Sequence, residues 1–222
     1  MFAHNTRVVL FGAGGVIGGL VADQLCELKA DLHLVLRRRI DSFQSRATMF
    51  VTDDISGLGT EVDHCHIGII CLGTTLKQAG SKDAFYQVDV ELVDRVAKSL
   101  KVAGTKELHV VSSLGADAKA GSYYLRSKAE MESRLTDHGF ETLVIYRPSL
   151  FYGAKRQDFR LAEMIAVPLL KGAALLIPAL RKWKPMHVEN VAAFIVSQLG
   201  SSGPGVRIIE SLEIGAMQLN RD

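Results

Sequence analysis

Three groups of residues have types and spacings suited to chemistry. The first is the turn Gly12-Ala13-Gly14-Gly15-Val16-Ile17-Gly18. A diphosphate is held by backbone N–H groups aimed from a helix N-terminus. Glycines allow the tight turn, the close approach of the phosphate and the close packing of helix on strand. Gly12, Gly15 and Gly18 have that spacing, and Gly14 loosens the turn further. The second group is Arg37-Arg38-Arg39, with Arg37 about twenty residues beyond Gly18, where an acid usually holds a ribose 2′-hydroxyl. No acid stands there, and Asp31 lies at the wrong end of the strand. A guanidinium suits a 2′-phosphate, which it grips with two hydrogen bonds. The residues therefore predict a dinucleotide site with NADP(H) preferred over NAD. The competing readings are a ligand-free glycine turn and a solvated basic loop.

Tyr124 and Lys128 form the third group, one turn apart on a predicted helix and so on one face. A tyrosine titrates near pH 10, so proton exchange with a carbonyl or alcohol near neutrality needs a cation beside it. Lys128 can supply that charge and also bind ribose hydroxyls. Ser112 and Ser113 end the preceding strand and can hold a substrate oxygen. Tyr123 has no lysine at the required offset. The competing reading is a surface pair on an amphipathic helix.

These residues need a scaffold, and the rest of the chain supplies one. Apolar runs at 7–11, 32–36, 48–51, 66–72, 107–111 and 142–146 read as strands. Segments 16–28, 84–102 and 123–138 read as helices, with Phe85, Val88, Leu92, Val93, Val96 and Leu100 on one face of the second. Regular alternation predicts a doubly wound parallel sheet, a Rossmann-type α/β fold, with ligand at the C-terminal strand ends. Two more segments then fall beside the cofactor. Asp53 or Asp54 follows the third strand at the adenine edge, and Leu72-Gly73-Thr74 follows the fourth, where glycine lets the backbone pass close to ribose or pyrophosphate. All five prolines lie at or beyond position 148. Residues 150–222, with a helix over 188–199 and a late strand over 206–210, are accordingly expected to add a small substrate-side cap to a single domain spanning 1–222.

The glycine turn, Leu36-Arg37-Arg38-Arg39, Cys71-Leu72-Gly73-Thr74-Thr75, Ser112-Ser113-Leu114-Gly115-Ala116-Asp117, Tyr124-Leu125-Arg126-Ser127-Lys128 and Tyr146-Arg147-Pro148 occur in that order. The set resembles the atypical short-chain dehydrogenase/reductase family, and within it the Tat-interacting oxidoreductase-like group. The resemblance covers about residues 5 to 200. It implies an NADPH-binding oxidoreductase with Tyr124 as proton donor or acceptor and Lys128 as its partner. It puts the family's serine on Ser113, with Ser112 as the neighbouring alternative. Arg37 and Arg38 would contact the 2′-phosphate, and Leu72, Gly73 and Pro148 would line the cofactor site. One departure stands out: Asp89 occupies the place where extended members often carry an asparagine.

Composition sets the remaining bounds. The 222 residues carry 26 basic and 24 acidic side chains, a net charge of +2. Such a balance gives no reason to expect nucleic acid or a membrane surface as the main partner. A small-molecule substrate is expected, with a homodimer left open. Cys26, Cys65 and Cys71 suit a reducing compartment, and no metal site is expected at Cys65 with its flanking histidines. With no secretory leader evident, the chain reads as cytoplasmic. Cys71 as a thiolate nucleophile, His187 as a pocket residue, Arg156 and Arg160 as anion ligands and Trp183 in a partner-binding patch are weaker candidates, each with an ordinary packing or capping alternative. Two further functions stay open: an NADP(H)-sensing binding protein with little catalysis, and epimerase or dehydratase chemistry on a nucleotide sugar.

Overall fold

The computed structural model describes residues 6–53, 64–153 and 182–216. Strand β1 (Arg7–Phe11) leads through the glycine turn into helix α1 (Val16–Glu27) and strand β2 (Asp31–Leu36). Strands β3 (Thr48–Val51) and β4 (Ile67–Ile70) follow. Short helices α2 (Leu76–Ala79) and α3 (Lys82–Tyr86) come next, then a π-helical turn over Gln87–Leu92 and helix α4 (Val93–Val102). Strand β5 (Glu107–Val111), helix α5 (Tyr123–Asp137) and strand β6 (Thr142–Arg147) complete the first part. Beyond them lie β7 (Phe151–Tyr152), β8 (Met186–His187), helix α6 (Val188–Gln198), β9 (Gly205–Glu210) and helix α7 (Ser211–Ala216).

The strands build a seven-stranded sheet in the order β3-β2-β1-β4-β5-β6-β9, and every pairing is parallel. Strands β7 and β8 form a separate parallel pair. Side chains alternate across each strand, so the run at β1 feeds two cores. Val8 and Leu10 pack with Val21 and Leu25 of α1 and Val191 and Ile195 of α6. Val9 and Phe11 pack on the other face with Val93, Val96 and Leu100 of α4 and Met131 and Leu135 of α5. The expected Rossmann architecture is therefore present, with β1 and β4 paired in its interior.

Two details differ from the sequence reading. Helix α6 shares the core of α1, and β9 extends the sheet beside β6. Residues 188–216 thus belong to the sheet and its helical layers, although they fell within the stretch assigned to the cap. Most of the remaining cap stretch, including Arg156 and Arg160, lies outside the described residues, as does Asp54. The second difference is the π turn. A π-helical turn takes in more residues than an α turn, so the buried stripe slips. Val88 and Leu92, expected on the buried face, are only half-buried, whereas Asp89 and Val90 are buried.

Candidate functional site

The glycine turn sits where β1 ends, between the ends of β2 and β4. Gly12 has φ +92°, and a Cβ there would stand 2.5 Å from the Cys71 carbonyl oxygen. A Cβ on Gly18 would stand 2.2 Å from the Gly12 carbonyl oxygen. These two glycines are required by backbone contact inside the protein. Gly14 is different: it is exposed, and a Cβ there would meet nothing within 4 Å among the described residues. Helix α1 opens at Gly15 with no side-chain cap and no acid in its first turn. Its first N–H groups thus face outward with the positive end of the helix dipole and no internal anion. Ala13 and Ile17 are buried and anchor the turn from below, while Val16 is half-buried.

The surrounding strand ends complete the cradle. Arg37 and Arg38 are exposed immediately past β2. Gly73 is exposed past β4, flanked by half-buried Leu72 and Thr74. Backbone amides and a helix dipole at the C-terminal ends of the strands suit a dinucleotide, and two guanidinium groups stand beside them.

Tyr124 and Lys128 share the sheet-facing side of α5. The Tyr124 ring packs on buried Phe85 of α3 at 5.6 Å, and Lys128 Nζ lies 5.9 Å from the centre of that ring. Tyr123 instead turns to α3, where its hydroxyl donates to the Lys82 carbonyl. The two serines also separate. Ser112 is buried and donates to Glu132 of α5, which is clamped by Arg147 through Nε at 3.0 Å and through Nη2. Ser113 is half-buried and starts a loop tied down by a Leu114 N–H bond to the Pro148 carbonyl. That loop lies against the start of α5: a Cβ at Gly115 would stand 3.5 Å from Leu125 Cδ1 and 3.8 Å from Trp183 Cη2. Ser112 is therefore engaged inside the protein, whereas the Ser113 hydroxyl makes a long hydrogen bond of 3.4 Å to the Leu114 carbonyl, and Trp183 packs on the loop.

Lys128 has a partner that the sequence reading did not assign. Its Nζ lies 2.6 Å from Asp89 Oδ1, and both side chains are almost wholly buried. Asp89 Oδ2 accepts the Thr74 N–H at 2.8 Å. A Cβ on Gly73 would stand 3.4 Å from Asp89 Oδ1 and 3.9 Å from Lys128 Nζ. Burial pushes the Lys128 ammonium down, but the Asp89 charge outweighs it and the net direction is up. The signal for Asp89 was an acid on an otherwise apolar helix face. The signal for Glu132 was its place one turn beyond Tyr124 and Lys128 on the same face.

Two of the weaker candidates, Cys71 and His187, have structural surroundings that can be described. Burial pushes the Cys71 thiol up to about 12, away from the thiolate a nucleophile needs. His187 caps α6, accepting the Glu189 N–H at 3.4 Å, with its ring against Tyr152.

Comparison with known proteins now decides the family. No protein-family model matches the chain. The protein fmp52 of Emericella nidulans is 34% identical over 170 residues, which is 72% of this chain and 72% of that protein. The chain belongs to the Fmp52 family of atypical short-chain dehydrogenases/reductases. Another relative of this Fmp52-family chain is HTATIP2 of Rattus norvegicus, 29% identical over 73% of the chain and 69% of that protein. Among solved structures, MoeE5 in complex with UDP-glucose and NAD aligns over 97% of this chain and 81% of its own. Its TM-score is 0.69 at 16% identity, and that likeness extends to the fold. A UDP-N-acetylglucosamine 4-epimerase from Bacillus cereus gives 0.66 at 13% identity, over 97% of this chain and 84% of its own.

The same relatives correct one expectation. Several of them, from Emericella nidulans, two Aspergillus species and Candida albicans, are named as mitochondrial proteins, against the cytoplasmic reading. That reading was a default drawn from an inconspicuous N-terminus. Mitochondrial addresses are compositional biases read by receptors, and a reducing-type cysteine content suits a mitochondrial matrix equally well.

Proposed function

We propose that this Fmp52-family protein is an NADP(H)-dependent oxidoreductase acting on a small carbonyl or alcohol substrate. The observation that carries the proposal is the convergence at one sheet edge of an uncapped helix head, two exposed guanidinium groups and the Tyr124–Lys128 pair. NADP(H) is favoured over NAD by Arg37 and Arg38 standing where an acid would serve NAD. When bound, the nicotinamide supplies or takes the hydride. Amides of residues 13–17 cradle the pyrophosphate, Leu72, Gly73 and Thr74 border the ribose, and Pro148 backs the serine loop. Ser113 holds the substrate oxygen, Tyr124 passes the proton to or from it, and Lys128 steadies the ribose hydroxyls.

The second reading is an NADP(H)-sensing protein with little catalysis. It is favoured by the direct pairing of Lys128 with Asp89, which engages the cation that a phenolate would need.

Two measurements separate the readings. Calorimetry should show NADPH taken up more tightly than NADH, and loss of both would overturn either reading. Consumption of NADPH should then be followed against aldehydes, ketones and quinones for the native chain and Tyr124→Phe. Turnover lost in the variant with NADPH affinity retained supports the enzyme. Tight binding without turnover on any compound supports the sensor.

A further inference from the structure

Lys128 is surrounded by few charged groups, and each has a place. Asp89 approaches from the π turn at 2.6 Å, and Tyr124 and Glu132 lie on its own helix. Glu132 is held by Arg147 of β6 and by the Ser112 hydroxyl. The loop after β4 contributes the Thr74 N–H, which Asp89 already accepts. The charge nearest to Lys128 is therefore a carboxylate with one oxygen in ion contact with the ammonium and the other hydrogen-bonded to a backbone amide. Two opposite charges in contact act on a third group as a dipole, and their effect falls off faster than that of a lone cation. A bare ammonium beside a phenol favours the phenolate, whereas a neutralised one does so weakly.

We propose that Asp89 is a positioning residue which offsets the Lys128 charge at the Tyr124 hydroxyl and so holds Tyr124 in its proton-giving form, suited to carbonyl reduction. Asp89 lies within the π turn, four residues after buried Phe85 and four before buried Val93, so an acid stands on an otherwise apolar buried face. Thr74 extends the arrangement: the same carboxylate that holds Lys128 also holds the loop after β4. Cofactor loop and proton-transfer helix are thereby locked to one residue.

The kinetic part of this inference rests on the oxidoreductase reading, but the charge balance can be tested without turnover. Tyrosinate absorbance of Tyr124 is isolated by subtracting the spectrum of the matching Tyr124→Phe protein at each pH. Asp89→Asn keeps an acceptor for Thr74 and leaves the ammonium uncompensated, so tyrosinate should develop about one pH unit or more lower than in the native chain. Asp89→Glu should restore the native onset. An unchanged onset in folded Asp89→Asn overturns the proposal. If Asp89→Asn fails to fold, the double variant Asp89→Asn/Lys128→Met removes both charges together. Its onset should stay within about half a unit of native, and a rise of more than one unit shows that Lys128 acts uncompensated and overturns the proposal. Where a carbonyl substrate is reduced, the alkaline limb of kcat/KM should move with the spectroscopic onset. Absence of turnover on every compound fails the oxidoreductase reading while leaving the spectroscopic result to decide the charge balance.

Discussion

Two buried polar clusters in this fold are built from similar parts and lie at different levels of the sheet. At the C-terminal strand ends, Lys128, Asp89 and the Thr74 N–H form one. Within strands β5 and β6, Glu107, His109 and Tyr146 form the other. His109 Nδ1 bonds the Tyr146 hydroxyl at 2.7 Å, its Nε2 bonds Glu107 Oε1, and Glu107 also accepts the Gly200 N–H. This second cluster faces α6, with the Tyr146 ring edge-on to Phe194. Its partners are all internal, so it closes on itself. The first cluster borders exposed Gly73 and half-buried Tyr124, beside the glycine turn. Chemistry of residue type does not distinguish them. Height in a parallel sheet does, because ligands meet such sheets at the carboxyl ends of the strands.

The sharpest way to break this comparison is to unpair each cluster. Lys128→Met leaves Asp89 buried without its counter-charge and should cost about 3–5 kcal/mol, with turnover lost. Adding Asp89→Asn should recover most of that stability and none of the turnover. Chemical denaturation together with the NADPH assay checks both. Tyr146→Phe removes one hydrogen-bond partner of His109 and should cost about 1–3 kcal/mol while turnover and NADPH affinity stay native. Equal losses of turnover in the two variants would erase the proposed difference.

The glycine turn offers a second contrast. Gly12→Ala forces a Cβ against backbone at positive φ and should destabilise by about 2–4 kcal/mol. Gly14→Ala should leave the melting temperature unchanged and weaken NADPH binding, since its Cβ points into space that only a ligand would fill. Thermal melts with and without NADPH read both effects.

The clusters should also respond to opposite ends of the pH scale. Burial raises the Glu107 carboxyl, but the His109 hydrogen bond and charge outweigh it and the folded value is lowered. That stabilisation is present above the unfolded carboxylate range and is lost as pH falls through the folded value, on the acid side of about pH 4.5. Lys128 is raised, so its contribution is complete below its unfolded value and is lost as pH rises through the folded one, above about pH 10. Melting temperature against pH should fall at both ends. Glu107→Gln should flatten the acid limb alone, and the double variant Asp89→Asn/Lys128→Met the alkaline limb alone.

The smallest expected effect separates the serines. Ser112→Ala removes one hydrogen bond to a carboxylate that Arg147 still holds and should cost about 1 kcal/mol. Ser113→Ala should change stability by less than about 0.5 kcal/mol and reduce turnover more than any stability effect explains.

Much of this molecule was legible in the residues. Alternation of apolar runs with amphipathic segments is a local property, so strands β1 to β6 and helices α1 and α5 could be read to within a residue or two. The glycine spacing, the arginines after β2 and the Tyr124–Lys128 offset are also local, because a turn and one helical face need only neighbours in sequence. Other features depended on residues far apart in the chain. Ser112 and Ser113 are indistinguishable until β5 is placed beside α5 and Arg147 of β6, when strand alternation sends one to Glu132 and the other to the loop. Asp89 looked like a departure from a family position. Only the meeting of that helix with α5 made it the partner of Lys128. A buried charge is tolerated where its counter-charge arrives, and which distant residue brings it is decided by packing.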